Sequence, residues 1–185
     1  MADFDKAFEK IKGIEFSNRY NILHKNAKET GYTFYGIYQT AHPSLDLWDI
    51  VKAAVFRTGD LRTASYEMSF NNNILDRVKE FYKKTFWDTV GLDIVHSQKI
   101  AEEMFIFYFN TGNKKQTVKM AQIISGAYPD GVLGHDTLET FKKVDDIHFD
   151  KMYDKLEEKY YRNLVKLHPR LSWALQGLVN RTVKV

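Results

Sequence analysis

Residues 31–43 read GYTFYGIYQTAHP, and they differ in kind from the sequence on either side. Two glycines, three tyrosines and a closing proline interrupt flanks that carry helical periodicity. Gly31 and Gly36 permit tight turns, and the aromatic and β-branched content of YTFYGIY suits a short hairpin. The contrast predicts a mainly α fold with one small β-hairpin near the N-terminus.

Toward the N-terminus, Phe4, Phe8 and Ile11 are spaced four and three apart. That is an apolar stripe on a first helix, with Asp3 as its N-cap. One more step of four lands on Glu15, in line with the stripe after about three full turns. Apolar neighbours and the helix C-terminal dipole both disfavour an anion there, so both raise the carboxyl pKa. A carboxylic acid kept protonated near neutral pH is what a glycosidase needs to protonate a leaving oxygen. The pattern also allows the helix to end at Gly13, with Glu15 turned outward to water.

Toward the C-terminus, Ser44 after Pro43 reads as the start of a helix through Leu45, Trp48, Ile50, Val51 and Ala54. TGDLRT reads as a connection, and Asn73 as the cap of a helix carrying Ile74, Val78, Phe81 and Tyr82. Residues 97–110, SQKIAEEMFIFYFN, begin amphipathic and become apolar on all sides, the mark of a buried helix. A further helix follows TGN, then a Pro-Asp-Gly turn at Pro129–Gly131 and a short helix in HDTLETFKK. A long helix runs from Asp150 to Leu167 before Pro169, and LSWALQGLVN closes the chain.

The chain has 185 residues, 44% of them hydrophobic and 15% aromatic, enough for a real core. With no cysteine, disulfides and thiolate metal sites are excluded. The opening MADFDKAFEKIKGIE is too charged for a signal peptide, and no apolar run approaches a membrane span. A formal charge of +3 would favour an anionic polymer, but acids interrupt almost every basic cluster, against a nucleic-acid partner. The six histidines show no ligand-like spacing, and there is no GxSxG, P-loop or GxGxxG. No metal or cofactor is expected.

Taken together, these pieces resemble the muramidases of glycoside hydrolase family 108, lysozyme-like proteins often encoded by phages and prophages. KGIEFSN, with Glu15, corresponds to the family's helix ending in a glutamate, and GYTFYGI to its Gly-x-Thr-x-x-Gly-Ile segment. FYKKTFWDTV is similar to the family's Tyr-x-x-x-Tyr-Trp run. FYFNTGNKKQTVKMAQ, DGVLGHDTLETF and QGLVNR are similar to the motifs of its peptidoglycan-binding region. Two departures stand out. Phe16-Ser17-Asn18 replaces the family's Gly-Gly-Tyr, and YNILHKNAKET, without aspartate, replaces an Asp- and Pro-rich stretch. The DGVLG turn also has a purely structural reading, with Asp130 capping the next helix.

The resemblance implies a lysozyme-like catalytic region over 1–109 and a helical peptidoglycan-binding region over 110–185. It implies cleavage of the β-1,4 bond between N-acetylmuramic acid and N-acetylglucosamine in bacterial peptidoglycan, a bacteriolytic degradation of the cell wall. Glu15 would be the general acid and Thr33 would orient water, with Tyr32, Tyr35, Tyr38, Glu29 and His24 as substrate-binding candidates. Alternation allows only some of the tyrosines onto an open face, and a packed core hairpin remains the other reading. The implied enzyme is cytoplasmic as synthesised and reaches the wall after holin-type release. The alternative is a catalytically inactive wall-binding or secretion-assisting protein of the same fold.

Overall fold

The computed structural model describes residues 1–26 and 30–182, and its chain is mainly helical with one small antiparallel sheet. Two compact units divide it, Glu15–Tyr82 and Met1–Ile14 with Lys83–Val185.

The Glu15–Tyr82 unit holds the sheet. Strands β1 (Leu23–His24), β2 (Thr33–Phe34) and β3 (Ile37–Tyr38) pair antiparallel in that order. Phe34 lies opposite Leu23 and Ile37, while Thr33 lies opposite His24 and Tyr38. Leu23, Phe34 and Ile37 are buried on one face; on the other, Thr33 is also buried, between the half-buried His24 and Tyr38. The β2–β3 loop is Tyr35-Gly36, with φ of 46° and 69°. Positive φ at both central residues is the turn that matches strand twist in a two-residue hairpin. Gly31 serves differently from the turn expected of it. Its φ is not left-handed, but an added Cβ would meet Gln39 Cβ and Thr40 Oγ1 at 3.0 Å.

The expected hairpin thus gains a third strand from the irregular stretch before it. Helix α2 (Leu47–Thr58) begins three residues after Ser44, because the chain first turns with Leu45 N–H donating to the His42 carbonyl. The segment read as a connection is the start of α3 (Leu61–Met68). Gly59 closes α2 in the left-handed conformation, and Asp60 Oδ1 accepts the Thr63 N–H at 2.8 Å as an N-cap. Helix α4 (Asn72–Tyr82) is capped by Asn71, whose Oδ1 accepts the Ile74 N–H, rather than by Asn73.

In the other unit, α1 (Phe4–Glu15, of which Glu15 belongs to the first unit) starts at Asp3, whose Oδ1 accepts the Asp5 N–H at 2.8 Å. Phe4 packs edge-on to Trp87 and Phe105 at 5.5 and 5.9 Å. Trp87 ends a π-helical turn, Lys83–Trp87, that leads into α5 (Asp88–Val90), and its Nε1–H donates to Asp93 at 2.7 Å. Helix α6 (Gln98–Thr111) is buried without interruption from Ile100 to Phe107, so burial takes in Glu102 and Glu103 in the part expected to be amphipathic and stops short of Tyr108–Thr111, which are half-buried. Each buried aliphatic or aromatic side chain of that run stabilises the fold by roughly 2 kcal/mol.

Around α6 lie α7 (Lys114–Ser125) and, after the short α8 (His135–Phe141), the long α9 (Asp146–Leu167). Helix α9 begins before Asp150 because Asp145 caps it, accepting the His148 N–H at 2.9 Å. The Pro129–Gly131 turn is structural. Asp130 Oδ1 accepts the Val132 N–H and a Gln122 Nε2–H, both at 2.8 Å, and does not cap α8, whose N-cap is Gly134. A 3-10 segment, Pro169–Ala174, leads to α10 (Leu175–Thr182). No helix of the described residues is long and apolar enough to cross a membrane.

Candidate active site

Glu15 is the last residue of α1, so the helix does not stop at Gly13. The residue is partly exposed, and its Oε1 is shielded from solvent. Beside it stands Tyr82, whose phenol is pushed well above its ordinary pKa by complete burial, then by the negative charge of Glu15 and by Tyr35. Tyr82 therefore stays protonated through the working pH range and acts as a donor. Its hydroxyl donates to the Tyr35 carbonyl oxygen at 2.7 Å.

Phe16, which follows Glu15, packs edge-on to Tyr35 at 5.2 Å and to Tyr82 at 6.3 Å. The replacement of the family's Gly-Gly-Tyr thus puts an aromatic wedge between the end of α1 and the β2–β3 turn. Tyr35 is 4% exposed and Phe34 lies edge-on to it at 4.9 Å. Its ring belongs to the core of this unit, unlike the open cleft position that its sequence allows.

Three of the sequence candidates come together. His24, Thr33 and Tyr38 form one row across the three strands, with Thr33 buried at its centre and His24 and Tyr38 half-buried. His24 is held by a 3.2 Å contact of Nδ1 with the Asn21 carbonyl. Tyr32 is half-buried, and alternation puts its side chain on the side of Phe34. Its backbone is tied to Gln39, which accepts the Tyr32 N–H through Oε1 at 3.1 Å and donates its own N–H to the Tyr32 carbonyl at 2.9 Å. Glu29 lies outside the described residues.

Two residues that the sequence reading passed over hold this arrangement. Tyr82 reads in sequence only as one more apolar position on a helix. Ser65 carries no signal at all, yet it is fully buried and bridges the loop after Glu15 to α3. Its Oγ donates to the Arg19 carbonyl at 2.7 Å and accepts the Leu23 N–H at 3.1 Å.

In the other unit, Glu103, Asp150 and Asp154 form the one group among the described residues with the spacing to hold a metal ion. The Lys99 ammonium lies 3.1 Å from Glu103 and 2.8 Å from Asp150, so a side-chain cation already serves two of the three. Burial pushes Glu103 up to about 9 against the pull of Lys99. Burial and then Asp154 push Glu157 up to about 8, and burial and then Asp150 push Asp154 up to about 6.

With this geometry in view, residues 21–112 match the family described as glycosyl hydrolase 108. Among solved structures, "Structure of Brucella abortus SagA" is similar over 97% of this chain and 93% of that one, with a TM-score of 0.58 and 18% identity. At that identity the likeness speaks for a shared fold. No curated protein sequence matches the chain.

Proposed function

This chain belongs, through residues 21–112, to the glycosyl hydrolase 108 family, and from that premise we propose that it is an N-acetylmuramidase with Glu15 as its general acid. Family membership makes it a glycoside hydrolase with peptidoglycan as the implied substrate. The bond cleaved and the residues that cleave it are our reading. What carries it is the position of Glu15, at the end of α1 with one carboxyl oxygen shielded from solvent and a buried phenol beside it.

In this mechanism protonated Glu15 delivers its proton to the oxygen bridging N-acetylmuramic acid and N-acetylglucosamine. The C1–O bond of the muramic acid breaks, the leaving sugar keeps the bond pair as a hydroxyl, and the ring develops oxocarbenium character. A water held by Thr33 adds to C1 and releases its proton to solvent, which returns a proton to Glu15. Thr33 is only 9% exposed, so the half-buried His24 and Tyr38 on either side of it are the members of the row that face the sugar. A positioned water favours the inverting route. Residues 110–185 serve as the wall-binding region, and a holin-type partner lets the enzyme reach the wall.

The second reading is a protein that binds the wall without cleaving it. It is favoured by one feature: between Phe16 and Tyr38 the sequence holds a single acid, Glu29. Digestion of purified Gram-negative sacculi by the native protein and by Glu15→Gln, with fragments identified by mass spectrometry, separates the two. Muropeptides ending in reducing muramic acid from the native protein alone establish the muramidase. Binding by both with cleavage by neither leaves the second reading.

A further inference from the structure

Arg62, Tyr66 and Phe70 are spaced by four along and just beyond α3, so they share one face. The loop after Glu15 lays two more residues on it. The Tyr20 ring stacks on Tyr66 with centroids 4.8 Å apart and planes 11° from parallel. Phe70 meets Tyr66 edge-on at 5.1 Å. The Arg62 guanidinium covers Tyr20 at 4.6 Å, and the Arg19 guanidinium covers Phe70 at 4.6 Å. The result is a continuous ladder, Arg62–Tyr20–Tyr66–Phe70–Arg19, within one unit.

This ladder is at the surface. Tyr20, Tyr66 and Phe70 are 44%, 39% and 55% exposed, unusual for three touching rings. Neither arginine forms an ion pair among the described residues. Of the nearby acids, Asp60 caps α3 by accepting the Thr63 N–H at 2.8 Å and its charge also acts on Arg62, while Glu67 pairs with Arg57 at 2.6 Å. An arginine stacked on a ring keeps its N–H edge open and its plane fixed, the geometry for bidentate binding of a carboxylate. Two such forks with flat apolar rings between them fit an extended acidic ligand with apolar stretches.

We propose that this ladder binds the acidic stem peptide of peptidoglycan and so sets which glycan strands the enzyme engages, an inference that rests on the muramidase reading. The stem hangs from the lactyl group of muramic acid, the sugar at the scissile bond, and carries a free carboxylate on its D-glutamate and on its terminal D-alanine. Arg19 is four residues from Glu15, within about 14 Å of fully extended chain. A stem rising from the sugar at Glu15 covers that distance in a few residues, at roughly 3.5 Å each. Ser65, which bonds both the Arg19 carbonyl and the Leu23 N–H, holds this part of the loop against the helix that carries the ladder.

The test uses the full chain, Arg19→Ala/Arg62→Ala, and two probes: the free tetrapeptide L-Ala-D-Glu-diaminopimelate-D-Ala, and sacculi before and after an amidase removes their stems. The native protein is expected to bind the tetrapeptide, and the double variant about tenfold more weakly, the scale of two exposed charge pairs. On intact sacculi the variant is expected to raise KM by a similar factor at unchanged kcat. On stripped strands the two proteins should cleave alike. No tetrapeptide binding by the native protein, or an equal loss on intact and stripped strands, overturns the proposal. Tighter native binding to a DNA duplex than to the tetrapeptide overturns it in favour of a nucleic-acid surface. If the native protein cleaves neither substrate, the muramidase reading fails, and tetrapeptide binding that the variant loses still supports the stem site.

Discussion

The Tyr82 hydroxyl donates a 2.7 Å hydrogen bond to the carbonyl oxygen of Tyr35, the one described residue other than glycine with positive φ. The last residue of α4 thereby pins the strained corner of the hairpin, next to the carboxylate that ends α1. A left-handed tyrosine is tolerated only where its surroundings over-determine it, and here a buried phenol and the Phe16 and Phe34 rings do so.

Tyr82→Phe keeps the ring and removes the hydroxyl that donates to the Tyr35 carbonyl. The expected cost is about 1 kcal/mol of stability, the net worth of one hydrogen bond. Urea denaturation reads it directly, and wall hydrolysis per folded molecule should fall as well, because the turn that closes the strand carrying Thr33 loosens. A variant as stable and active as the native protein would show that the bond does not hold the turn.

Ser65→Ala deprives two backbone groups, the Arg19 carbonyl and the Leu23 N–H, of one shared partner. Stability should drop by about 1–3 kcal/mol. Because the loop it pins leads from Glu15 into β1, hydrogen exchange at Leu23 and at its neighbours in β1 should rise well before global unfolding.

Glu15→Gln is close to the native residue in shape and cannot deliver a proton. Hydrolysis of sacculi should fall by about 10²- to 10⁴-fold while binding to sacculi is retained. Retained cleavage by the variant would remove Glu15 from the mechanism.

The acidic cluster on α6 and α9 sets a pH dependence of stability. Glu103, Asp154 and Glu157 hold protons up to about 9, 6 and 8 in the folded chain. The unfolded chain releases them in the ordinary carboxylate range, so between those limits the folded state binds more protons. Stability is then greatest at the acid end of the window and falls as pH rises through each folded value. The slope is at most about 1.4 kcal/mol per pH unit for each of the two deeply buried glutamates. Thermal denaturation from pH 5 to 9 should show Tm falling, and Glu157→Gln should flatten the fall up to pH 8. A Tm that rises across that window would contradict this account.

Much of the helical frame was legible in the residues. Asp3, read as a cap, precedes α1 and caps it, because a short polar side chain there satisfies amide groups that the helix leaves open; Ser97 and Asn113 cap α6 and α7 in the same way. The apolar run from Met104 to Phe107 in α6 announced its burial, while that of Glu102 and Glu103 was not legible. Helix α3 escaped notice although Asp60 is a cap of the same kind, because Thr58-Gly59-Asp60 also reads as a turn and the helix is only eight residues long. The third strand was illegible for another reason. Leu23–His24 is two residues, and its place in the sheet depends on partners ten residues on and on Ser65 in a distant helix.

By itself, then, the sequence determined the local elements: an apolar stripe on the first helix, a tyrosine-rich hairpin, and a largely buried α6, while the structure decided that the first helix runs on to Glu15. The local elements follow from periodicity and capping, which act over a few residues. Only the tertiary structure decided which tyrosine faces which way, that Phe16 and Tyr82 close around the Tyr35 turn, and that Tyr20 and Arg19 join α3 in a ladder. Such contacts link residues far apart in the chain. They depend on how whole elements pack, and no local pattern encodes that.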